Sequence, residues 1–572
     1  MQIAFTMLST KSGKSFILQI EAKKYIFNIF EGFQRYCIEQ KINIASFDYI
    51  FLTSKYNIIP FIGMYLTLGD LHKSKIGLVS SFDLDFYNIH SFAVHPDFKI
   101  KFLQKHQDEY ISVVNFDISG TSNYIIEMPV ISGSLKPELI PKSIPKTMYK
   151  AIATSETIEV EGISYDCQNL RHPSIRLNKI CLIFSEDNLD PIKTFCADVK
   201  LFFCFTLQSL EFVLKNFIAT PNLSLPEGVY FVKDNDFVEY KHFYQHQAIL
   251  NEFNKNYLIP YAREKDEDCI FPDNVKILNS GDEFVYKKSQ GFLLNVAEHI
   301  LPVPNMNIYS HPCLEFLGTG CAIPSKLRNA SSILYQNGES AVLLDAGEDT
   351  LSQILRIHGN SEILKKVRII YLSHGHADHM LGLASILRKC RQKVTIIGPD
   401  VIQSYLRYFG FTISETVKTE GLIFISTAEA KAKEKIFYSG TSAESDCIVN
   451  LKIDYFDIKI CGCKHSADST SISISDLSKK IKFSYSGDTL PSKLFAKISE
   501  GVDVMVHEAT FNDDQAEHAA RTNHSRKCEA IEIFKDSGAK KLFLTHFSNR
   551  NTNEKEEDIC VSDFYRHEFT HE

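Results

Sequence analysis

The sequence predicts a layered α/β protein built around an internal repeat of domain size. Short β-branched and aromatic runs alternate with helical patterns, as at Thr350 to His358 followed by Val367 to Leu372. Polar residues collect where such runs end: His374, His465, Asp488, Glu508 and His546 each close or follow one. One order of elements also occurs twice.

In the first occurrence, Met1 to Phe5 reads as the start of a strand, not as a signal peptide. Phe16 to Ile20 and Tyr25 to Ile29 read as strands, and Glu31-Gly32 ends the second. Phe33 to Ile42 has a helical pattern, and Phe47 to Thr53 is apolar enough for a buried strand. In the second occurrence, Ala341 to Leu344 runs into Asp345-Ala346-Gly347-Glu348, a helix over Thr350 to His358 and a strand from Val367. Phe51-Leu52-Thr53 then answers to Tyr371-Leu372-Ser373. Ser54, Tyr56, Ile58 and Ile59 stand where the later copy has His374, His376, Asp378 and His379. Two readings fit: a repeat whose first copy has lost a site, or two β-α-β segments alike by chance.

Between the copies, three prolines exclude regular structure around Lys136 to Lys146. Lys136, Lys142, Lys146 and Lys150 outnumber Glu138 there, so the stretch reads as a projecting basic arm or as a solvated loop. Residues 181 to 235 return to strand and helix patterns. The pattern weakens from Pro260 to Pro304, with a mixed charge run at Arg263 to Asp268. We place a linker at 261–310, between a unit at 1–260 and a second at 311–572.

At 572 residues the chain is too long for one core, and 44% hydrophobic with 12% aromatic residues marks it as globular. No apolar run reaches the roughly 18 residues a membrane span needs, so no membrane partner is expected. The net charge of −8 argues against nucleic-acid binding by the whole surface. A polyanionic partner would have to meet local basic patches. Fourteen cysteines lack a framework spacing and read as mostly reduced thiols of an intracellular protein. Cys461-Gly462-Cys463 is too tight for an ordinary zinc pair.

The chemistry centres on His374-Gly375-His376-Ala377-Asp378-His379, placed directly after a buried strand. Imidazole nitrogen and carboxylate oxygen are ordinary zinc ligands. A two-metal site needs more ligands than one loop supplies. His465, Asp488 and His546 follow later strands and bring the set to seven, the number a binuclear hydrolase needs. Gly318-Thr319-Gly320 and the basic Pro324 to Asn329 read as a tight turn or as an anion-binding loop.

Together these residues resemble the metallo-β-lactamase superfamily, and more narrowly the long form of tRNase Z. The narrower markers are Phe316 to Gly320, Pro324-x-Lys326-x-Arg328-Asn329, Ser486 to Thr489, His507 to Thr510, His524-Ser525 and His546-Phe547-Ser548. The resemblance implies two tandem αββα sandwich domains, the first degenerate, with an arm at about 130–180 that grips tRNA. It implies two Zn²⁺ in the second domain: one on His374, His376 and His465, the other on Asp378, His379 and His546, with Asp488 bridging. Asp378, Glu508 and His524 would be catalytic. Lys326, Arg328 and Asn329 would meet the tRNA end, and Lys136, Lys142, Lys146 and Lys150 its elbow. The implied activity is hydrolysis of precursor tRNA after the discriminator nucleotide, by a monomer whose halves form a pseudo-dimer in nucleus, cytoplasm or mitochondrion. The alternatives are another hydrolase of this fold acting on small phosphodiesters or thioesters, and an RNA-holding module with a silent site. The sequence departs from the family at Lys142 to Lys146, where a Gly-Pro-rich segment is usual, and at Arg526 and Asn551.

Overall fold

The computed structural model describes residues 3–10, 13–82, 99–128, 135–171, 179–196, 199, 201–213, 216, 228–232, 275–278, 283–287, 291–295, 311–325, 327–411, 413–414, 422–432, 448–548 and 559–570. Four large sheets carry the fold. The first has eight strands in the order Gly291–Asn295, Glu283–Lys287, Ile3–Thr10, Gly13–Ile20, Lys23–Phe27, Tyr49–Phe51, Lys75–Val79, Lys99–Leu103. A seven-stranded sheet centred on Thr121–Glu127, Ile180–Ile183 and Leu201–Cys204 faces it. Phe5, Phe16, Phe27, Phe51, Tyr124 and Phe203 fill the layer between them. The second half repeats the plan. An eight-stranded sheet runs from Ile413–Ser414 through Val367–Tyr371 and Ala341–Leu344 to Arg566–Glu568, and a six-stranded sheet runs from Val449–Ile453 to Leu542–Thr545. Their facing apolar sides meet at Phe316, Tyr335, Tyr371, Phe483 and Phe543.

The alternation in the sequence explains these layers. Phe456–Gly462 reads buried and exposed by turns along its first half, as a strand with one solvent face must. Val367–Tyr371 and Val394–Gly398 pair in parallel and carry almost unbroken apolar runs, because helices cover the other face. The apolar stretch Val449 to Cys461 is a hairpin. It turns at Asp454, whose φ is 51°.

The helices of both halves share a single apolar core. Ile58, Ile59, Phe61 and Ile62 from the helix Ile58–Asp70 meet Met380, Leu383, Ile386 and Leu387 of the second half. Burying each such side chain contributes about 1.5–3 kcal/mol. The contact is reciprocal in its polar bonds as well. The Gly32 amide donates to Glu348 Oε1 at 3.2 Å, and the Asp349 amide donates to Glu31 Oε1 at 3.0 Å. The backbones come close here: a Cβ on Gly32, at φ 83°, would lie 2.3 Å from the Asp349 carboxylate.

Two expectations meet differences. The strands Val275–Leu278, Glu283–Lys287 and Gly291–Asn295 lie inside the stretch read as a linker, yet the first two pair with strands of the first half and the third extends the same sheet against Glu283–Lys287. Short strands flanked by charge leave little periodic signal, so they resembled a loop. The arm was expected to lack regular structure. Around its prolines it does, but it continues into the helix Tyr149–Thr154 and the hairpin Thr157–Val160 with Ile163–Asp166. Ile140, Ile144, Ile152, Ile158, Val160 and Leu170 give it a small core of its own. Among the described residues no helix is long and apolar enough to cross a membrane, and none of the described cysteines forms a disulfide.

Candidate functional site: a His/Asp metal centre

Parallel strands of both second-half sheets end at one edge, and their C-terminal ends carry the polar residues. His374, His376, Asp378 and His379 follow Val367–Tyr371, while Asp488 follows Ile481–Tyr485. Glu508 closes Val504–Glu508, and His546 follows Leu542–Thr545. Ligand atoms of His374, His376 and His465 lie within 4.8 Å of one another, as do those of Asp378, His379 and His546. Asp488 sits between the two groups. Its Oδ2 is 3.2 Å from His379 Nε2 and 3.7 Å from the Nε2 atoms of His374 and His465. Its Oδ1 is 3.3 Å from His546 Nε2. All seven residues singled out as ligands therefore share one cluster.

The rings are oriented from behind. Nδ1 of His374 meets Ser373 Oγ at 3.0 Å, that of His379 meets Asp345 Oδ2 at 2.7 Å, and that of His465 meets the Asn523 carbonyl at 3.1 Å. Nδ1 of His546 meets Thr510 Oγ1 at 2.8 Å. Partners on Nδ1 turn the four Nε2 atoms toward a common space, as supporting bonds around metal ligands do. Asp345 also accepts from the Ser373 amide at 2.7 Å and the Tyr485 hydroxyl at 2.7 Å. The sequence reading noticed Asp345 only as part of an acidic Gly turn, and Thr510 only as a motif letter.

The donor set fits a metal. His374 Nε2 and Asp488 Oδ1 are buried with no hydrogen-bond partner. Such orphans cost about 1–3 kcal/mol each unless something satisfies them. Burial, reinforced by the neighbouring His379 and His376 rings, holds His374 well below the usual imidazole range. It is therefore neutral, the form that offers a lone pair. The cluster is that of a metal centre.

Beside it, Glu508 Oε1 is 2.9 Å from His524 Nδ1. Glu508 is buried and also accepts from the Thr489 amide at 2.8 Å and Thr510 Oγ1 at 2.6 Å. Burial works against a charged His524, but the Glu508 carboxylate and the bond to it prevail and hold the ring up to about 9. The pair thus favours the protonated ring of His524 at the edge of the cluster.

The other expected binding residues fare unevenly. Lys326 lies outside the described residues. Asn329 is 1% exposed, and its side-chain amide donates to the Glu348 carbonyl at 2.9 Å, so it anchors the loop and does not face a substrate. Arg328 turns inward too. One nitrogen donates to Thr319 Oγ1 and to the Val561 carbonyl, each at 2.7 Å, and its guanidinium stacks 4.3 Å over Phe547. On the arm, Lys142, Lys146 and Lys150 are exposed and Lys136 is half-buried. Across 135–171, four lysines and Arg171 are balanced by Glu138, Glu156, Glu159, Glu161 and Asp166, so the arm is bipolar and not basic throughout.

Comparison with known proteins agrees with this architecture. A family model described as the beta-lactamase superfamily domain matches residues 340–547, and one described as tRNase Z endonuclease matches residues 3–61. Mitochondrial ribonuclease Z of Drosophila melanogaster is 35% identical over 262 residues, 43% of this chain and 32% of that one. Human zinc phosphodiesterase ELAC protein 2 is 30% identical over 44% of this chain and 31% of its own length. The matches thus span about a third of each curated relative. The crystal structure of a long-form RNase Z from yeast superposes with a TM-score of 0.69, covering 99% of this chain and 98% of that one at 18% identity. The second half is thus similar to the beta-lactamase superfamily domain, the start of the chain is similar to tRNase Z endonucleases, and the chain as a whole shares the fold of the yeast long-form RNase Z.

Proposed function

We propose that the chain is a zinc-dependent endoribonuclease that removes the 3′ trailer of precursor tRNA. The observation that carries this reading is the seven-residue His/Asp cluster with the Glu508–His524 pair at its edge. The relatives named ribonuclease Z and zinc phosphodiesterase support it. Two zinc ions would occupy the cluster: one held by His374, His376 and His465, one by Asp378, His379 and His546, with Asp488 shared. Bound zinc would supply Lewis acidity to a water and to the phosphate's non-bridging oxygens.

The chain's own residues do the rest. Asp378, with a side chain 10% exposed and Oδ2 3.4 Å from His546 Nε2, orients the attacking water. The P–O3′ bond after the discriminator nucleotide breaks as the water oxygen bonds to phosphorus. His524 gives its proton to the departing 3′-oxygen, and Glu508 holds the ring in place for that transfer. The products are a tRNA ending in a 3′-hydroxyl and a trailer with a 5′-phosphate. The arm, with Lys136, Lys142, Lys146 and Lys150, would hold the tRNA body.

We further propose two metallo-β-lactamase-like units, with the boundary between Asn295 and Cys313, acting as an internal pseudo-dimer in a monomer. The strand pairing within 275–295 supports the later boundary. The shared helical core and the reciprocal bonds at Glu31 and Glu348 support the pseudo-dimer. The compartment is proposed as intracellular.

The test is incubation of purified protein with a 3′-extended precursor tRNA, with and without a chelator, followed by mapping of the cut and metal analysis. One metal-dependent cut after the discriminator, with about two zinc per chain, is the expected result. Turnover of a small diester or thioester without cleavage of the precursor would replace the proposal with the general hydrolase. An intact precursor with no metal bound would replace it with an RNA-holding module.

A further inference from the structure

The loop from Thr319 to Asn329 is fastened at a buried carboxylate that nothing in the motif analysis singled out. Asp563, in the tail that follows the last large strand, is 3% exposed at its side chain. Its Oδ1 accepts from the Thr319 amide at 2.9 Å and the Thr319 hydroxyl at 2.8 Å. Its Oδ2 accepts from the Asn329 amide at 2.7 Å and from Gln353 Nε2 at 3.1 Å. Both ends of the loop are thus tied to one side chain. Arg328, next to the loop's second end, adds bonds to Thr319 Oγ1 and to the Val561 carbonyl of the same tail.

The cation that balances Asp563 comes from the other half of the molecule. Arg35, on the helix Phe33–Glu39, is 5% exposed and places NH1 3.1 Å from Asp563 Oδ2. A buried carboxylate that loses a paired cation is costly, and it protonates or admits water. Either response weakens the bonds to Thr319 and Asn329. The same helix start supports the loop a second way. The Gly32 amide and Gln34 Nε2 donate to Glu348, at 3.2 and 3.1 Å, and the Glu348 carbonyl receives the Asn329 side chain.

The loop in turn bears on the metal cluster. Thr319 O accepts from the Phe547 amide at 2.9 Å, and the Cys321 amide donates to the Phe547 carbonyl at 3.2 Å. Phe547 directly follows His546, and its ring carries the Arg328 guanidinium. A route of direct contacts therefore runs from Arg35 through Asp563 and the loop to the backbone beside His546.

We infer that Arg35 and Asp563 are positioning residues for the 319–329 loop beside His546, so that the first half sets how tightly the second half's site holds its substrate through this ion pair. This rests on the RNA-processing reading above. It assigns the first half a part in binding separate from its arm.

The test uses the full chain with Arg35→Met, Arg35→Lys and Asp563→Asn, and three readouts. For a 3′-extended precursor tRNA, Arg35→Met and Asp563→Asn should raise KM about tenfold and change kcat by less than about twofold, the signature of lost binding and not of lost chemistry. Arg35→Lys should recover most of the difference. Turnover of bis(p-nitrophenyl) phosphate, which lacks the RNA body, should change by less than about twofold. Amide hydrogen exchange should rise at Thr319 and Asn329 in Arg35→Met and stay level across Ile481–Tyr485. Equal losses on both substrates, exchange rising throughout the second half, or an unmoved KM would each overturn the inference. Should Asp563→Asn fail to fold, the Arg35 variants, which lie in the other half, carry the test. Should the wild-type chain turn over the small diester but leave the precursor intact, the functional reading fails, and exchange at Thr319 and Asn329 still decides the positioning role.

Discussion

The two copies of the loop after the parallel strand show what a metal site requires and what it can lose. In the second half, Asp345 has φ 56° and its carboxylate holds Ser373, His379 and Tyr485. In the first, Asn28 occupies the matching turn with φ 66° and accepts from Thr53 Oγ1 at 2.7 Å. Both following helices open on a residue in the left-handed region, Gly32 and Asp349. The backbone plan is therefore the same. The charge is not: a neutral amide stands where there is no cation to balance. Ile58 and Ile59, 0% and 2% exposed, take the places of Asp378 and His379 and join the core shared by the halves. Asn57 closes the loop, accepting from the Thr53 and Ser54 amides at 2.9 and 2.7 Å. One copy spends its polar groups on an ion and the other on its own backbone.

Breaking the second copy gives the largest effect. His546→Ala removes a ligand at the join of the two groups and should lower precursor cleavage by about three orders of magnitude, together with bound metal. An active variant with unchanged metal content would refute the ligand assignment. Asp345→Asn makes the second copy resemble the first at the turn alone. Metal affinity should fall roughly 10–100-fold, since the support behind His379 weakens while its ring remains. Titration against a chelator reads this, and unchanged affinity would show that the carboxylate is dispensable.

The converse change, Asn28→Asp, gives the first copy a buried carboxylate with no ion to meet. It should destabilise the fold by about 1–3 kcal/mol in denaturant unfolding. A stabilised variant that binds a further metal would mean the first copy is closer to a working site than its isoleucines imply.

On the arm, replacing Lys142, Lys146 and Lys150 by Ala should raise KM for precursor tRNA roughly tenfold and flatten its salt dependence. Small-diester cleavage should stay level, and an equal loss on both substrates would make the arm structural.

The smallest effect sharpens the comparison at the seam between the copies. Burial, aided by the charge of Glu31, pushes Glu348 up to about 8. The folded state then binds a proton that the unfolded chain releases near the usual carboxylate range. Stability therefore declines as pH rises from about 4.5 through 8. Glu348→Gln should flatten that decline in thermal melts at pH 6 and pH 9, and an unchanged slope would assign it elsewhere.

Much was legible because the signal was local. Strand, loop and ligand lie within a few residues at His374 to His379, and the later ligands each sit at the end of an apolar run. Periodicity of two against 3.6 then orders the layers without tertiary information. The helix Thr350–His358 is bounded as its pattern predicts because Gly359 ends it in the left-handed region. The strand Glu283–Lys287 escaped notice because its partner, Ile3–Thr10, lies at the opposite end of the half, where pairing rather than pattern sustains it. The arm's hairpin was hidden for a related reason. Its inward Ile158 and Val160 have no meaning until Ile140 and Ile152 come to meet them.

The sequence by itself determined that a seven-residue His/Asp set exists, that its order along the chain follows strand ends, and that Ile58 and Ile59 stand in the first half where the second has Asp378 and His379. Residue chemistry and spacing are properties of the chain, so they need no fold to be read. Only the tertiary structure decided which groups face the ligands from behind, that Arg328 and Asn329 fasten their loop from within, and that Arg35 meets Asp563. Most of those contacts join residues well separated along the chain, Arg35 and Asp563 most of all, and no local pattern records a partner that folding alone brings near.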